Sequence, residues 1–155
     1  MVHARKEVEI TVRFKRGPGV LEKLLAVLAD KGIGVLAQTT YPSRDWVLVL
    51  LITDDLRRTQ SVLEESAFEY GSDSVVLVDV PGRSSFVAQA GMQLRMAGIG
   101  ILYSYVSDAQ LGRIVAVFKT TDDDRAVRVL QNVIPALWPS PSPMQMEGGS
   151  HASAV

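Results

Sequence analysis

Two short stretches, Arg16-Gly17-Pro18-Gly19-Val20-Leu21 and Asp79-Val80-Pro81-Gly82, interrupt this chain in the same way. Each stands where an alternating or all-apolar run gives way to an amphipathic one. Proline stops a strand by withholding an N–H, and glycine supplies the backbone freedom to start a helix tightly. Both stretches therefore read as strand-to-helix turns. Such a turn presents the first N–H groups of the helix, on which an anionic group such as a carboxylate can sit. The plainer reading of a single Pro-Gly is punctuation between two elements. Two copies in matching positions shift the balance toward function.

The residues around the first turn set out one unit. From Glu7 to Phe14, Val8, Ile10, Val12 and Phe14 alternate with Glu7, Glu9, Thr11 and Arg13, the pattern of a half-buried antiparallel strand. Val20, Leu21, Leu24, Leu25, Val27 and Leu28 follow at helical spacing, and Gly32 is a C-cap candidate. Val35 to Tyr41 reads as a second strand, and Pro42-Ser43-Arg44-Asp45 as a hairpin loop. Trp46 to Ile52 is then a strand apolar on both sides, so both of its faces need cover. Thr53, Asp54 and Asp55 offer N-caps to a helix from Leu56 to about Glu69, with Val62, Leu63 and Ala67 in its buried stripe.

The same order then recurs. Val75 to Val78 is a short apolar strand running into the second turn. Phe86, Val87, Ala90, Leu94 and Ala97 mark a helix ending near Gly98, and Ile101 to Val106 is a strand with Tyr103 and Tyr105 on one face. Ile114 to Phe118 is another strand, and Asp122 to Asp124 cap a helix carrying Ala126, Leu130, Val133 and Ile134. Gly32-Ile33 answers Gly98-Ile99, and Thr53-Asp54-Asp55 answers Thr121-Asp122-Asp123, with offsets of about 66 to 68 residues. This is an internal duplication of βαββα. A unit of about 65 residues buries little surface alone, so the copies are expected to share an interface or a sheet, through Val75 to Val78. No clear strand follows the last helix. We place the first repeat at residues 7–73, the second at 74–137, and a Pro/Ser-rich disordered tail at 138–155.

Composition narrows the function classes. With 16 basic and 17 acidic residues the formal net charge is −1, which gives no electrostatic footprint for nucleic acid or an anionic membrane. There is no cysteine, which excludes disulfides and thiolate metal sites. His3 and His151 lie in opposite terminal segments, so no metal site and no catalytic base is assigned, and no cofactor is expected. Gly17-Pro18-Gly19 is not followed by the Gly-Lys-Ser/Thr of a P-loop. Residues 1–9 lack the apolar core of a signal peptide, and the apolar run of Trp46 to Ile52 is too short to span a bilayer, so a cytoplasmic protein is expected.

A duplicated strand, Pro-Gly turn, helix, strand, hairpin, strand, helix resembles the ACT domain, and specifically small stand-alone proteins with two ACT repeats in tandem. The carrying residues are Gly17-Pro18-Gly19-Val20-Leu21 with Ala29-Asp30-Lys31-Gly32-Ile33, and Asp79-Val80-Pro81-Gly82 with Met96-Ala97-Gly98-Ile99. The resemblance spans Glu7 to about Ile134. It implies an α+β, ferredoxin-like βαββαβ sandwich with antiparallel sheets and helices on one face. It also implies a small ligand, usually an amino acid, at the interface between repeats, with the Pro-Gly turns supplying N–H groups.

On that basis the candidate ligand-binding residues are Gly17, Gly19, Val20, Leu21, Asp79, Val80, Gly82, Arg83, Ser84, Thr39 and Tyr103. Asp79 has two readings, an acceptor for a ligand ammonium or a cap for its own turn. Ser84 either meets ligand or caps the helix. Thr39 and Tyr103 either line the interface or make ordinary cross-strand pairs. Arg16 stands where the second copy has Asp79, so the two turns are expected to differ. The function expected is a non-catalytic regulatory protein that binds an amino acid and acts on a protein partner or a second copy of itself. The alternative is a ligand-free dimerisation or interaction module, in which a partner covers the two-sided strand Trp46 to Ile52.

Overall fold

The computed structural model describes residues 3–81, 85–109 and 112–137. The expected Pro/Ser-rich tail and Gly82, Arg83 and Ser84 lie outside them. In chain order the elements are β1 (His3–Lys15), α1 (Val20–Asp30), β2 (Val35–Pro42), β3 (Trp46–Thr53), α2 (Leu56–Glu65), β4 (Glu69–Pro81), α3 (Ser85–Met96), β5 (Ile101–Ala109), β6 (Arg113–Thr120) and α4 (Asp123–Leu137). The strands form one antiparallel sheet in the order β2-β3-β1-β4-β6-β5.

The longest ladder joins β1 to β4, from His3 opposite Asp79 to Arg13 opposite Glu69. At its centre Val8 faces Ser74, two residues separated by the same offset as Gly32 and Gly98. The duplication therefore becomes a pseudo-twofold axis through this pair. Each long strand completes the other repeat: β4 closes the first sheet beside β1, and the N-terminal half of β1 closes the second beside β4. The missing last strand of the second repeat is supplied by the start of the chain. The shared strand is also longer than the apolar stretch Val75 to Val78, because Glu69 to Ser74 find their partners on β1 rather than in a local pattern. The boundary expected between Asp73 and Ser74 falls in the middle of it.

All four helices lie on one face. Ile10, Val12, Phe14, Val49 and Leu51 pack under Leu24 and Leu28 of α1 and Val62 and Leu63 of α2. Val76, Val78, Val80, Ala116 and Phe118 pack under Phe86, Ala90 and Leu94 of α3 and Ala126, Leu130 and Ile134 of α4. Cross-strand pairs such as Ala4 with Val78 and Val12 with Tyr70 put both clusters on the same side.

Among the described residues the opposite face carries no helix, yet Ala37, Ile52, Val75, Leu77, Val115 and Val117 are buried there with Leu36 and Tyr105 against them. The sheet provides this cover by curling. Its two edge strands, β2 and β5, meet where the Gln38 N–H donates to Ser107 Oγ at 3.1 Å. The two-sided strand β3 thus needs no external partner, since Leu50 and Ile52 are already buried within the single chain.

Inside the curl the polar side of β1 is not solvated throughout. Glu9 is only 1% exposed, and its carboxylate accepts from the Tyr103 hydroxyl at 2.5 Å and the Tyr105 hydroxyl at 2.6 Å. Two strands lie between β1 and β5 in the sheet, so these bonds cross the interior and brace the curl. Burial first, then the hydrogen bond and charge of Glu9, push both tyrosines well above their ordinary value.

A second polar cluster ties α4 to the ladder centre. Asp123 accepts from Ser74 Oγ at 2.6 Å, from Thr120 Oγ1 at 2.7 Å and from Lys119 Nζ at 3.1 Å. Burial alone would raise the Asp123 carboxyl, but these donors outweigh it and hold the carboxyl below its usual range.

The helix ends follow the residues available. Gly32 and Gly98 take φ of 67° and 73°, and the next residue in each case, Ile33 or Ile99, donates back to the carbonyl of Leu28 or Leu94. Helix α2 closes the same way through Phe68 and Leu63, but its left-handed position is Ala67 at φ 58°. The helix therefore stops at Glu65 rather than Glu69, and Ala67 turns out to solvent instead of joining the buried stripe.

Three outcomes are expected. Ala67→Gly should stabilise the protein by about 1 kcal/mol in urea unfolding, by relieving the left-handed strain. Leu24→Ala, at a position with no exposure, should cost about 2–5 kcal/mol. The raised tyrosines keep their protons when the unfolded chain would lose them. Their contribution is therefore complete below the ordinary tyrosine value of 10.0 and is lost as pH rises above it. Alkaline unfolding of the wild type against Glu9→Ala checks this, since the variant should lose about 1–3 kcal/mol near neutral pH and the part of the alkaline slope that Glu9 adds to burial.

Candidate functional site

The two Pro-Gly turns follow the C-terminal ends of β1 and β4, and these strands are antiparallel. The turns therefore sit at opposite ends of the ladder, on the order of 40 Å apart at the usual rise per residue. Within one chain they do not converge.

At the first turn Gly19 is the N-cap of α1 with φ 75°, and no side chain caps the helix. A side chain at Gly19 would meet no neighbouring atom but would be strained by that φ. The side chains of Val20 and Leu21 pack against the core under α1. Gly17 lies between the Arg16 N–H, which donates to the Asp45 carbonyl at 2.8 Å, and the helix. Beside the turn a cavity of about 420 Å³ is lined by Arg13, Phe14, Lys15, Val20, Lys23 and residues 66–69. Its cations are occupied by aromatic faces, Arg13 over Trp46 at 4.0 Å and Lys23 over Phe68 at 5.8 Å.

The second stretch differs from the turn expected of it: Asp79, Val80 and Pro81 are still strand, paired in β4 with Val115, Ile114 and Arg113 of β6, and Gly82 lies outside the described residues. Val80 is fully buried under α3 and α4, whereas Asp79, on the helix-free face, accepts from Arg113 Nε at 2.9 Å and Nη2 at 2.7 Å. Both contacts fall on Oδ1, which leaves Oδ2 as an acceptor. Here a cavity of about 430 Å³ opens at the mouth of the curl, lined by Arg5, Val35, Leu36, Leu77, Asp79, Asp108, Arg113 and Val115. It joins an apolar wall to two guanidinium groups and two carboxylates. Arg5 also pairs with Glu7 at 2.6 Å. The wall comes from both repeats, with Val35 and Leu36 from β2 and the rest from β1, β4, β5 and β6.

Of the expected residues that the structure describes, Asp79 is the one that lines this cavity. Thr39 lies partly buried further along β2, opposite Leu50, and the Tyr103 hydroxyl is taken by Glu9. Arg5, Asp108 and Arg113 escaped sequence reasoning because they come from three strands with no local motif. Glu9 carried a signal: Tyr103 and Tyr105 on one face of an edge strand call for a buried acceptor. Among the described residues no cluster of His, Cys, Asp and Glu could hold a metal ion, and no helix is long and apolar enough to cross a membrane.

The sequence matches no family model and no curated protein. Solved structures do match. A Bacteroides thetaiotaomicron protein superposes with a TM-score of 0.74 at 21% identity, over 83% of this chain and 89% of its own. The regulatory subunit of aspartate kinase from Thermus thermophilus, in its ligand-free form, gives 0.59 at 18% identity over 84% and 95%. Aspartokinase III of E. coli, in complex with lysine and aspartate, gives 0.52 at 19% identity over 88% of this chain and 32% of that one. The fold is thus the tandem ACT arrangement, two βαββαβ units in one six-stranded sheet, as in the aspartate kinase regulatory subunit.

The Asp79–Arg113 pair is about a quarter to a third exposed, and such pairs contribute roughly 0–1 kcal/mol. Asp79→Asn should therefore shift the urea midpoint little, which makes it a clean probe of the cavity.

Proposed function

We propose that this protein is a non-catalytic regulatory sensor that binds an amino acid in the cavity between its repeats. The observation that carries this reading is the pairing of opposite charges beside an apolar wall. Arg113 or Arg5 would take the ligand carboxylate, Asp79 Oδ2 or Asp108 its ammonium, and Val35, Leu36, Leu77 and Val115 its side chain. The volume suits a small molecule. Structural likeness to the regulatory subunit of aspartate kinase, and to about a third of an aspartokinase solved in complex with lysine and aspartate, supports an amino acid as the ligand class.

The Gly17 to Leu21 turn remains a candidate for a second site that a second copy of the chain would complete, since its own partner turn lies at the far end of the ladder. Gly82, Arg83 and Ser84, adjoining Asp79 in sequence, stay in the proposed site on the resemblance alone. The output is made in trans, on a second copy or on another protein, in the cytoplasm. A ligand-free interaction module is the second reading. It is favoured by Met92, Met96 and Leu102, which are 59%, 75% and 63% exposed on the second repeat.

A thermal-shift screen against the twenty amino acids separates them. A ligand at about 100 times its Kd adds roughly 2.7 kcal/mol, a shift of several degrees. The sensor reading expects at least one amino acid to raise Tm in the wild type and to lose that effect in Asp79→Asn. Absence of any shift in the wild type would favour the interaction module.

A further inference from the structure

The six-stranded sheet is closed by a seam that is not a β-ladder. β2 and β5 are its two edges, and among the described residues the polar bonds that join them run through one side chain: Ser107 Oγ accepts from the Gln38 N–H at 3.1 Å and donates to the Gln38 carbonyl at 3.3 Å. Elsewhere neighbouring strands are held by runs of main-chain bonds. β5 is laddered to β6 along its length, but across the curl its two halves differ: Tyr103 and Tyr105 in the first reach Glu9, whereas Ser107 in the second meets β2 through its hydroxyl on Gln38.

Two cavities share residues at that second half. The charged cavity takes Val35 and Leu36 from β2 and Asp108 from β5. A second, of about 360 Å³, uses the same three residues together with Gln38, Ser107 and the apolar side of α1. The Gln38–Ser107 seam thus lines the second cavity next to the residues the two cavities share, and a molecule seated in the charged cavity touches both edges at once.

We propose that the β2–β5 seam is the moving part of the protein: it opens at Gln38–Ser107 and is drawn shut by the ligand. The proposal rests on the charged cavity being the amino-acid site. Its physical basis is differential contact, because an amino acid gains Val35 and Leu36 together with Asp108 only when the edges are together. Closure also sets how the two repeats face each other across the curl, which a partner can read.

Both main-chain groups of Gln38 point into the seam, so its amide hydrogen reports seam opening directly. Hydrogen exchange followed by NMR should find the Gln38 amide exchanging at least about 100-fold faster than the β1–β4 ladder amides, and slowing when the amino acid that raises Tm is added. The chain has no cysteine, so a Gln38→Cys/Ser107→Cys pair gives an independent readout. That same amino acid should speed disulfide closure, and the oxidised pair should bind it about tenfold tighter.

If the Gln38 amide is as protected as the central ladder without ligand, the seam is static and the inference is overturned. If an amino acid raises Tm while leaving both the Gln38 amide and disulfide closure unchanged, the sensor reading stands and the seam inference fails. If none of the twenty raises Tm, the sensor reading fails, and ligand-driven closure fails with it.

Discussion

The antiparallel ladder between β1 and β4 is the constraint on which the rest depends. Each repeat by itself is a small unit with too little buried surface and one strand short. Pairing the two long strands about Val8 and Ser74 supplies both deficits together, because each strand serves as first strand of one repeat and last of the other. The same pairing fixes the register of two sheets and brings all four helices to one face. It also sends the two Pro-Gly turns to opposite ends, so a repeated motif gives two separated, unequal places rather than one composite site.

The second constraint is the uncovered face. A sheet whose strand β3 is apolar on both sides must hide the second side, and this one does so by rolling until its edges meet. Burying Glu9 in the roll would be costly for an unpaired carboxylate, and the two tyrosine hydroxyls answer that cost while bracing β5 across the interior. Rolling also leaves a mouth at the Asp79 end, where side chains from both repeats converge. The proposed site and the proposed moving part are both by-products of closing the sheet without a helix.

Much of this was legible in the residues. The first strand-turn-helix junction, the left-handed glycines 32 and 98, and Asp55 as the N-cap that accepts from the Arg58 N–H all follow from local chemistry. So does the duplication. What was hidden is long-range. The strand segment from Glu69 to Ser74 has polar residues whose partners lie some sixty residues away, and His3 to Lys6, ahead of the expected strand start at Glu7, join β1 only because β4 lies beside them. Glu9 sits in a strict polar-apolar alternation that ordinarily means a solvated face, and only curling of the sheet reverses its meaning. At the site, Asp79 was singled out from its turn, while Arg5, Asp108 and Arg113 come together only through tertiary closure. Ala67 was misplaced because its helix ends on a left-handed residue that is usually glycine.

The central claim is that the junction of the repeats at the mouth of the curl, rather than an isolated turn, receives the ligand. The most direct test is amide chemical-shift mapping by NMR as each of the twenty amino acids is titrated in. The account predicts saturable shifts concentrated at Val35, Leu36, Leu77, Asp79, Arg113 and Val115, contributed by both repeats. Shifts confined to Gly17, Gly19 and Leu21, with the Asp79 cavity silent, would contradict it.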